Sequence, residues 1–504
     1  MTARTLMIQG TFSSAGKSLL VTALCRIFAR RGLRVAPFKS QNMSNNAAVC
    51  ADGAEIGRAQ AVQAAAAGIA PTSDMNPILL KPEAGGRSQV LVNGRRWRTL
   101  PPRAYYEHKQ ELWPHITAAF DRLREAYDLV VIEGAGSPAE LNLHGCDLAN
   151  MAVARHARSP VLLAGDIDRG GVFAQLLGTL WLLPEEDRWL VRGLIVNKFR
   201  GDRSLFDDGV TILEQRGGVP VLGVVPFLPA LAIPEEDSAT LDEAGTGERP
   251  GAIDIAVIRL PHIANYDDFD PLVAEPDVQV RYIQTPAQLG TPDAVILPGT
   301  KSTIDDLAWL AREGLSGPIR RLAERNTAIV GICGGYQMLG RRIADPEQLE
   351  STEREIAGLA LLDVETVFTG LKATYQAEAR LSAGPGWFGS LAAQRVRGYE
   401  IHLGRSSGGQ SWLEIVERNG QRVACSDGAA SADGRIWGTY LHGLFANDEF
   451  RRAWLRSLGR RPLVRDHQLN AEARFRESLD RLADGVEAAL DMRRLDHILE
   501  ERCS

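Results

Sequence analysis

Short apolar runs alternate with longer stretches of helical periodicity through the first half of the chain. Most of these runs are rich in β-branched residues and are bounded by glycine, proline or charged residues, as strands buried on both faces are. Six of them are predicted strands: residues 5–9, 34–39, 128–133, 160–166, 191–197 and 220–226. Strands separated by helix-length segments predict an α/β fold with a parallel sheet and helices on both of its faces.

A second alternation begins near Ile253, after a break in the pattern. Residues 235–251 are acidic, small and contain glycine and proline, which is typical of a linker. The strands predicted beyond the linker are residues 253–259, 279–283, 294–297 and 328–332, followed by three runs of more antiparallel character at 360–368, 375–381 and 436–442. The sequence therefore predicts a second α/β domain.

The end of the chain is charged and has helical periodicity, most clearly between residues 472 and 492. This pattern fits packing on the second domain and a place in an interface equally well. We therefore expect four parts: a first domain at 1–234, a linker at 235–251, a second domain at 252–447 and a helical tail at 448–504.

Composition narrows the class of protein without identifying it. The chain has 504 residues and a formal net charge of −6, from 57 Lys and Arg against 63 Asp and Glu, which does not favour nucleic-acid binding. No apolar run approaches the roughly 18 residues of a membrane span, and a signal-peptide pattern is absent. Six widely spaced cysteines fit a reducing compartment. We expect a soluble cytoplasmic enzyme with no nucleic-acid or membrane partner.

A glycine-rich loop follows the first predicted strand and precedes a helical stretch. It has the sequence Gly10-Thr11-Phe12-Ser13-Ser14-Ala15-Gly16-Lys17-Ser18. Backbone N–H groups in such a loop form a concavity for phosphate oxygens. Lys17 is expected to neutralise the β- and γ-phosphates of ATP, and Ser18 to ligate Mg²⁺. Five residues separate Gly10 from Gly16, one more than in the strict motif, but the strand–turn–helix context predicts nucleotide binding.

Polar side chains at strand ends are candidates for completing this site, because open α/β sheets bind ligands at the carboxyl ends of their strands. Glu133 ends an apolar strand and is the strongest candidate for a second Mg²⁺ ligand. Asp52 and Asp166 are weaker candidates for the same role. Asn197, at the end of another strand, is a candidate contact to the adenine edge of ATP.

A cysteine lies between a buried strand and a helix, in the sequence Gly331-Ile332-Cys333-Gly334-Gly335. This is the nucleophile-elbow arrangement with cysteine in the place of serine, and its glycines permit the sharp turn. The N–H groups that follow Cys333 can hold an oxyanion. A thiolate nucleophile needs a base. His402 and His442 both end strand-like runs, and spacing alone does not choose between them.

Several strings of residues, taken together, resemble the cobyric acid synthase family. They are the Gly10-Thr11 loop, Gln41-Asn42-Met43-Ser44, Asp74-Met75-Asn76-Pro77, Glu133-Gly134-Ala135-Gly136-Ser137-Pro138, Asp166-Ile167-Asp168-Arg169-Gly170-Gly171, Asn197-Lys198-Phe199-Arg200-Gly201-Asp202, Pro298-Gly299-Thr300-Lys301-Ser302-Thr303 and Gly398-Tyr399-Glu400-Ile401-His402. The resemblance implies a first domain similar to dethiobiotin synthetase, whose group shares the longer gap between the loop glycines. It also implies a flavodoxin-like class I glutamine amidotransferase as the second domain.

The same resemblance assigns roles in the second domain. Cys333 matches the nucleophile, His442 matches the base, and Gly334 and Gly299 match turn and oxyanion positions. Most class I amidotransferases carry a glutamate two residues after that histidine, where this chain has Leu444, a departure that is shared by the cobyric acid synthase group. The third member of the triad is therefore missing or comes from elsewhere in the chain.

The resemblance also implies the reactants. Glutamine and ATP are the expected co-substrates, with Mg²⁺ accompanying ATP and no tightly bound cofactor. The implied acceptor is a corrinoid, adenosylcobyrinic acid a,c-diamide, whose b, d, e and g carboxylates become amides in the route to vitamin B12. The candidate contacts to this substrate are Gln41, Asn42, Ser44, Asp166 and Arg169. The sequence does not decide between a monomer and a homo-oligomer.

Two other functions share parts of this pattern. The amidase that makes the a,c-diamide from cobyrinic or hydrogenobyrinic acid has both domains in the same order, but the strings at 41–44, 166–171 and 197–202 resemble the later enzyme. A partition-type ATPase shares the first sheet alone. Such ATPases commonly carry an additional lysine near the start of the loop, and residues 10–14 contain none.

Overall fold

The computed structural model describes residues 2–142, 147–234, 251–459 and 470–501. The predicted linker at 235–251 therefore lies outside the described residues except for Gly251. Two six-stranded sheets dominate the described part of the chain, one on each side of that gap.

The sheet of the first domain consists of six parallel strands, which confirms all six strands predicted for this part of the chain. Their spatial order is Val221–Pro226, Val191–Phe199, Val161–Asp166, Arg4–Gly10, Leu129–Glu133 and Val35–Phe38. The strands are buried along most of their length, because helices cover the sheet. These helices are Lys17–Arg30, Arg58–Ala66, Pro102–Ala126, Met151–Ala157, Val172–Leu182, Glu185–Arg188 and Asp207–Gly217.

Two small sheets are inserted after the second strand of this domain, and the hydrophobic pattern did not predict them. One has the strands Gln41–Met43, Ile78–Glu83, Arg87–Val92 and Arg95–Leu100; the other pairs Ala47–Val49 with Glu55–Gly57. A hairpin signal was nevertheless present in the sequence. Asn93 and Gly94, both with positive φ, form the two-residue turn that joins two of these strands.

The second domain has a mostly parallel sheet. Its strands are, in spatial order, Val278–Ile283, Ile253–Ile258, Ala294–Leu297, Ala328–Ile332, Ile436–Thr439 and Ala429–Ala430. The interpretation of 436–442 as antiparallel is wrong, because Ile436–Thr439 runs parallel to Ala328–Ile332. Only the short edge strand Ala429–Ala430 is antiparallel to its neighbour. The helices here are Asp270–Val273, Pro286–Leu289, Thr303–Arg312, Ser316–Glu324 and Gly334–Leu339.

Two four-stranded sheets lie between the fourth and fifth parallel strands of the second domain. One contains Arg395–His402, Ala373–Leu381, Leu413–Arg418 and Gln421–Asp427, and its pairs are antiparallel as predicted for 375–381. The other contains Glu355–Ala357, Arg342–Ala344, Glu365–Val367 and Arg405–Ser407. The strand predicted at 360–368 is reduced to Glu365–Val367, because the apolar residues before it enter the core from a loop.

The described residues of the tail, 448–459 and 470–501, form three helices, Asp448–Leu458, Ala471–Ala489 and Met492–Glu500. The first packs on the second domain through Phe450 and Trp454. The last two cover the first domain, where their apolar side chains share a core cluster with the helix Lys17–Arg30. Ion pairs line the edge of this contact: Arg26–Asp480, Arg30–Asp484 and Arg31–Glu487. The last two helices therefore pack on the first domain, although they follow the second domain in the sequence.

Among the residues that the structure describes, no helix combines the length and the apolar character that crossing a bilayer requires.

The tail helices should stabilise the first domain. Leu482 is 3% exposed and lies in the shared cluster, so Leu482→Ala should lower the stability of this domain by about 2–5 kcal/mol. Thermal unfolding followed by circular dichroism should show a lower Tm. Glu477→Ala, at an exposed position of the same helix, is the matched control and should leave Tm nearly unchanged. An unchanged Tm for Leu482→Ala would contradict this packing.

Candidate functional site

The glycine-rich loop lies at the point where the chain switches from one side of the first sheet to the other. Strand Arg4–Gly10 is flanked by Leu129–Glu133 on one side and by Val161–Asp166 on the other. The carboxyl ends of the three parallel strands therefore meet at one edge, which is where such sheets bind ligands. Two of the carboxylates predicted for this site, those of Glu133 and Asp166, consequently lie on either side of the loop.

Lys17 is folded back over the loop. Its Nζ donates hydrogen bonds to three carbonyl oxygens, those of Phe12 (2.9 Å), Ser13 (3.1 Å) and Gly136 (3.1 Å). The side chain is only 4% exposed, so its charge is held within the loop. A phosphate oxygen entering the loop would replace these neutral acceptors with a charged one, which makes a stronger hydrogen bond.

Close contacts with neighbouring atoms explain why the loop has glycine, which lacks a side chain, at positions 10 and 16. Gly16 has a φ of 88°, and a Cβ there would lie 2.2 Å from Nδ2 of Asn197. A Cβ on Gly10 would lie 3.0 Å from the Cβ of Ala15. Asn197 itself donates from Nδ2 to the carbonyl of Ala15, at 2.9 Å. Asn197 therefore supports the loop from the neighbouring strand end, while its predicted contact with adenine stays a prediction.

Glu133 is buried at the centre of a hydrogen-bond cluster. Its Oε1 accepts from the hydroxyl of Ser18 at 2.8 Å and from Nζ of Lys39 at 2.9 Å. Its Oε2 accepts from Nε2 of Gln63 at 2.5 Å. Burial raises the pKa of Glu133, but the charge of Lys39 and the three hydrogen bonds outweigh burial and hold this pKa below its usual range. The carboxylate is therefore charged and adjoins a hydroxyl, a pair of oxygen donors that suits Mg²⁺.

Asp52 is placed differently from Ser18 and Glu133. It is exposed on the turn between the strands Ala47–Val49 and Glu55–Gly57, where its Oδ1 accepts from the backbone N–H two residues on, at 3.0 Å. Among the described residues, no group of three or more His, Cys, Asp or Glu side chains is arranged to hold a metal ion. A Mg²⁺ ion at Ser18 and Glu133 would need oxygens of the nucleotide and of water, which is how Mg²⁺ usually binds beside phosphates.

Asp166 is paired with a lysine rather than open to the loop. Its Oδ2 lies 2.9 Å from Nζ of Lys198, and its Oδ1 accepts from the backbone N–H of Asp168 at 2.8 Å. The backbone N–H of Thr11 donates to the carbonyl of Ala164 on the same strand, at 3.0 Å. These contacts fix the end of the strand against the loop.

The other predicted substrate contacts differ in their access to a ligand. Gln41 accepts a hydrogen bond from the Tyr105 hydroxyl at 2.6 Å, and the buried Asn42 donates to Gln60 at 2.9 Å. Ser44 is also buried, and its Oγ accepts from the backbone N–H two residues on, at 3.0 Å. The three side chains therefore have internal partners, and their contact with substrate stays a prediction.

Arg169 is exposed beside the loop. Its guanidinium carbon lies 5.6 Å from the centroid of the Phe12 ring. A cation at this position is available to an anionic ligand at the mouth of the loop. The predicted role of Arg169 is thus compatible with its position, and it too stays a prediction.

Cys333 forms a sharp turn between the strand Ala328–Ile332 and the helix Gly334–Leu339. Its φ is 52° and its ψ is −109°, a combination that residues other than glycine rarely adopt. A Cβ on the nearby Gly335 would lie 1.9 Å from the carbonyl oxygen of Leu297, so that only glycine fits there. The geometry is that of the elbow predicted from the sequence.

His442 is held between Cys333 and a carboxylate that the sequence did not point out. Its Nδ1 lies 2.7 Å from Oδ2 of Asp268, and the backbone N–H of Gly443 donates to Oδ1 of the same carboxylate at 2.7 Å. Burial by itself lowers the pKa of His442, but the charge and hydrogen bond of Asp268, together with the hydrogen bond to Cys333, raise this pKa to about 10. Thiol, imidazole and carboxylate thus have the order of a nucleophile, a base and an orienting group.

The two candidate histidines, His402 and His442, have different contacts in the structure. Cys333 is near enough to His442 to contribute to the raised pKa of this histidine, and its thiol donates to the carbonyl oxygen of Ile401 at 3.5 Å. His402 instead stacks on Tyr440, with ring centroids 3.8 Å apart, and its Nδ1 lies 3.2 Å from the carbonyl oxygen two residues on. The geometry therefore supports His442 as the base.

Gly299 and Gly334 both lie against this site without side chains of their own. A Cβ on Gly299 would be 2.9 Å from Cε1 of His442. A Cβ on Gly334 would be 2.7 Å from Cγ2 of Thr300. Both positions therefore need glycine for close packing, and the N–H of Gly334, next to the thiol, is a candidate oxyanion donor.

A pocket beside the thiol is lined by residues of both domains. Glu350 and Lys372 belong to the second domain, and Lys81 belongs to the first. Burial raises the pKa of Glu350 to about 8 and lowers the pKa of Lys372 to about 8. Glu55 of the first domain pairs with Lys81 at 2.8 Å and also with Lys372. The first domain thus helps to close the pocket next to Cys333.

Comparison with known proteins finds a matching family model for each of the two domains. A family model described as a CobQ/CobB/MinD/ParA nucleotide binding domain matches residues 6–241, and one described as a CobB/CobQ-like glutamine amidotransferase domain matches residues 254–450. The cobyric acid synthase of Chloroflexus aurantiacus is 55% identical to this chain over 99% of this chain and 100% of its own length. The chain belongs to the cobyric acid synthase family. Members from Roseiflexus castenholzii and Dehalococcoides mccartyi are 52% and 49% identical, over 97% and 99% of this chain and 98% and 99% of their own lengths.

Membership of the cobyric acid synthase family confirms the resemblance seen in the sequence strings. It also confirms the fold class, with a nucleotide-binding α/β domain followed by a glutamine amidotransferase domain. The relatives carry the name of this enzyme over their full lengths, which favours it over the a,c-diamide synthase and the partition-type ATPase.

Sequence analysis missed three polar partners in these sites. Asp268 lies in the string Asn265-Tyr266-Asp267-Asp268-Phe269-Asp270, a cluster of acidic residues in the segment that follows the first strand of the second domain, Ile253–Ile258, and this cluster was the available signal. Lys39 is the last residue of a predicted strand, 34–39, and that strand end was its signal. Gln63 lies inside an alanine-rich helix and carries no local signal at all.

Asp268→Asn should reduce glutamine hydrolysis by about 10²–10⁴-fold in kcat/KM, the usual contribution of acid–base catalysis. The raised pKa of His442 keeps the imidazole protonated up to about pH 10, and the charge of Asp268 is the largest of the causes that raise this pKa against the effect of burial. The alkaline limb of the kcat/KM profile should therefore move to lower pH in the variant. Glutamate release, measured from pH 6 to 11, tests both effects.

Asp363→Asn is the matched control, because Asp363 is exposed in the same domain, where it pairs only at the surface with Arg341. It should leave both the rate and the pH profile unchanged. An Asp268→Asn profile that overlays the profile of the unaltered protein would show that Asp268 does not orient His442.

Proposed function

We propose that the chain catalyses the ATP- and glutamine-dependent amidation of corrinoid carboxylates. The acceptor we propose is adenosylcobyrinic acid a,c-diamide, amidated at its b, d, e and g side chains to give adenosylcobyric acid. The observation that carries the proposal is the presence in one chain of a Cys333–His442–Asp268 arrangement and a phosphate-type loop with Lys17. The names of the full-length relatives support the same activity.

In the proposed glutaminase reaction, the thiolate of Cys333 attacks the side-chain amide carbon of glutamine. The N–H of Gly334 stabilises the oxyanion, and protonated His442 gives its proton to the departing nitrogen. Ammonia leaves, and a glutamyl thioester remains on the sulfur. Water, deprotonated by His442, then hydrolyses the thioester to glutamate. Asp268 keeps the imidazole oriented throughout.

In the proposed synthetase reaction, a carboxylate oxygen of the corrinoid attacks the γ-phosphorus of ATP. ADP leaves and an acyl phosphate forms. Ammonia then attacks the acyl carbon, phosphate departs, and an amide remains. Lys17 is suited to neutralise charge on the phosphates, since its Nζ lies within the loop, where it donates to three neutral carbonyl oxygens that phosphate oxygens could replace.

Ser18 and Glu133 would hold the Mg²⁺ that accompanies ATP, because they place a hydroxyl and a charged carboxylate 2.8 Å apart beside the loop. The ion would supply additional positive charge next to the phosphates. Lys39 already neutralises Glu133 in the structure, so it would have to share the carboxylate with the ion.

The proposed activity is tested by incubating the protein with ATP, Mg²⁺, glutamine and adenosylcobyrinic acid a,c-diamide and following the corrinoid by mass spectrometry. Four successive conversions of carboxylate to amide are expected. Conversion of cobyrinic or hydrogenobyrinic acid in two steps, with none on the a,c-diamide, would instead indicate the a,c-diamide synthase. If no corrinoid changes while ATP is hydrolysed, the proposed substrate is wrong.

The division of labour between the sites is tested by two variants. Cys333→Ala should lose glutamine-dependent amidation by at least about 10³-fold and keep amidation with added ammonia, because the synthetase site is intact. Lys17→Ala should lose amidation with either nitrogen source. Equal loss of both nitrogen sources in Cys333→Ala would contradict the assignment of separate glutaminase and synthetase sites.

A further inference from the structure

One segment of the first domain contacts both candidate sites. It consists of the strand Glu55–Gly57 and the helix Arg58–Ala66, and we call residues 55–66 the bridging segment. Six of the nine residues of the helix are buried, including Ala59, Val62 and Ala66. A short helix with most of its residues buried is expected to move as a unit, because close-packed interiors transmit strain.

The C-terminal half of the bridging helix touches the nucleotide site. Gln63 donates from Nε2 to Oε2 of Glu133, at 2.5 Å. The other oxygen of Glu133 accepts from Ser18 and Lys39. A ligand that draws Glu133 into new contacts will therefore compete with Gln63 for this carboxylate.

The first residue of the bridging helix touches the glutaminase site. Nε of Arg58 lies 2.9 Å from Oδ2 of Asp267, and its Nη2 donates to the hydroxyl of Tyr399 at 2.5 Å. The guanidinium carbon also lies 5.0 Å from the centroid of the Tyr399 ring. The side chain of Arg58 is 15% exposed, so these contacts are largely shielded from water.

Both partners of Arg58 are attached directly to the glutaminase residues. Tyr399 stacks parallel to the imidazole of His442, with centroids 5.1 Å apart and planes 11° from parallel. The two residues also exchange backbone hydrogen bonds of 3.2 and 2.9 Å. Asp267 immediately precedes Asp268 in the chain. A change at Arg58 therefore reaches both the imidazole and the carboxylate that orients it.

The loop that carries Asp268 is held by the first domain at further points. Nδ2 of Asn265 donates to the carbonyl of Ala47 and to the hydroxyl of Tyr399, each at 2.8 Å. The backbone N–H of Tyr266 donates to Oδ1 of Asn46 at 3.2 Å. The loop that carries the orienting carboxylate is thus positioned in part by the neighbouring domain.

We propose that Arg58 is a positioning residue through which nucleotide binding in the first domain controls the reactivity of Cys333 in the second. The signal passes from Glu133 to Gln63, along the bridging helix to Arg58, and through Asp267 and Tyr399 to His442. This inference rests on the proposed function of the two sites. It assigns to the first domain a direct part in the glutaminase arrangement, so that ammonia is released when the synthetase site is occupied.

The test measures how fast a glutamine-shaped electrophile, 6-diazo-5-oxo-norleucine, alkylates Cys333, followed by the intact mass of the protein. Rates are compared with and without Mg²⁺ and a non-hydrolysable ATP analogue. In the unaltered protein the nucleotide should accelerate alkylation by at least about 5-fold, the lower end of ordinary allosteric coupling. In Arg58→Gln the ratio of the two rates should fall to near one, because both contacts of the guanidinium are lost.

Three further variants separate positioning from folding. Arg58→Lys keeps a cation for Asp267 and should restore part of the nucleotide effect. Tyr399→Phe keeps the ring on His442 but removes the hydroxyl that Arg58 contacts, and it should lower the ratio. Arg397→Gln is the matched control, because Arg397 lies on the same strand as Tyr399 with its side chain 87% exposed, and it should leave the ratio unchanged.

The inference is overturned if the nucleotide has no effect on alkylation in the unaltered protein, or if the effect survives in both Arg58→Gln and Tyr399→Phe. Amidation of the corrinoid with added ammonia is measured on the same preparations. If the corrinoid is not amidated but the nucleotide still accelerates alkylation, the proposed substrate is wrong and the proposed coupling is retained. If the corrinoid is amidated but the nucleotide has no effect on alkylation, the proposed coupling is wrong and the proposed substrate is retained.

Discussion

The hydrogen bond between His442 and Asp268 is the interaction on which the second site depends. A buried imidazole with a pKa raised to about 10 is stable only beside a charge of opposite sign, and Asp268 supplies that charge at 2.7 Å. The usual glutamate two residues after the histidine is replaced by Leu444, which is buried. The orienting carboxylate thus comes from the other end of the domain in sequence, and its loop is fixed by contacts with Asn46 and Ala47 of the first domain.

In the synthetase site, too, a buried charged group is stabilised by a group of opposite charge and by hydrogen bonds. Glu133 is 1% exposed, and a carboxylate at that depth needs several donors to stay ionised. It has Lys39, Ser18 and Gln63, each from a different element of the first domain. The cluster therefore ties the phosphate-type loop to the second strand and to the bridging helix, so that these three elements cannot move independently.

The parallel strands were predictable because burial on both faces leaves a continuous apolar run, and all six of the first domain were found from it. The loop and the cysteine elbow were predictable because their chemistry needs adjacent residues. Asp268 was not, since it is 174 residues from His442 in the sequence and no local pattern joins them. The parallel pairing of Ile436–Thr439 was missed for a related reason, because its partner strand is remote in the chain.

The tail helices show how the chain combines two domains into one unit. The last two helices return to cover the first sheet, and residues 41–66 of the first domain reach across to the glutaminase loop. The C-terminal helices therefore cover the first sheet, and the first domain contacts the loop that carries Asp268. If Mg²⁺ and nucleotide engage Ser18 and Glu133, Lys39 and Gln63 must share or exchange their acceptor, and an unpaired buried donor costs about 1–3 kcal/mol. That energy is of the size needed to shift a neighbouring helix between two arrangements, and the neighbouring helix carries Arg58.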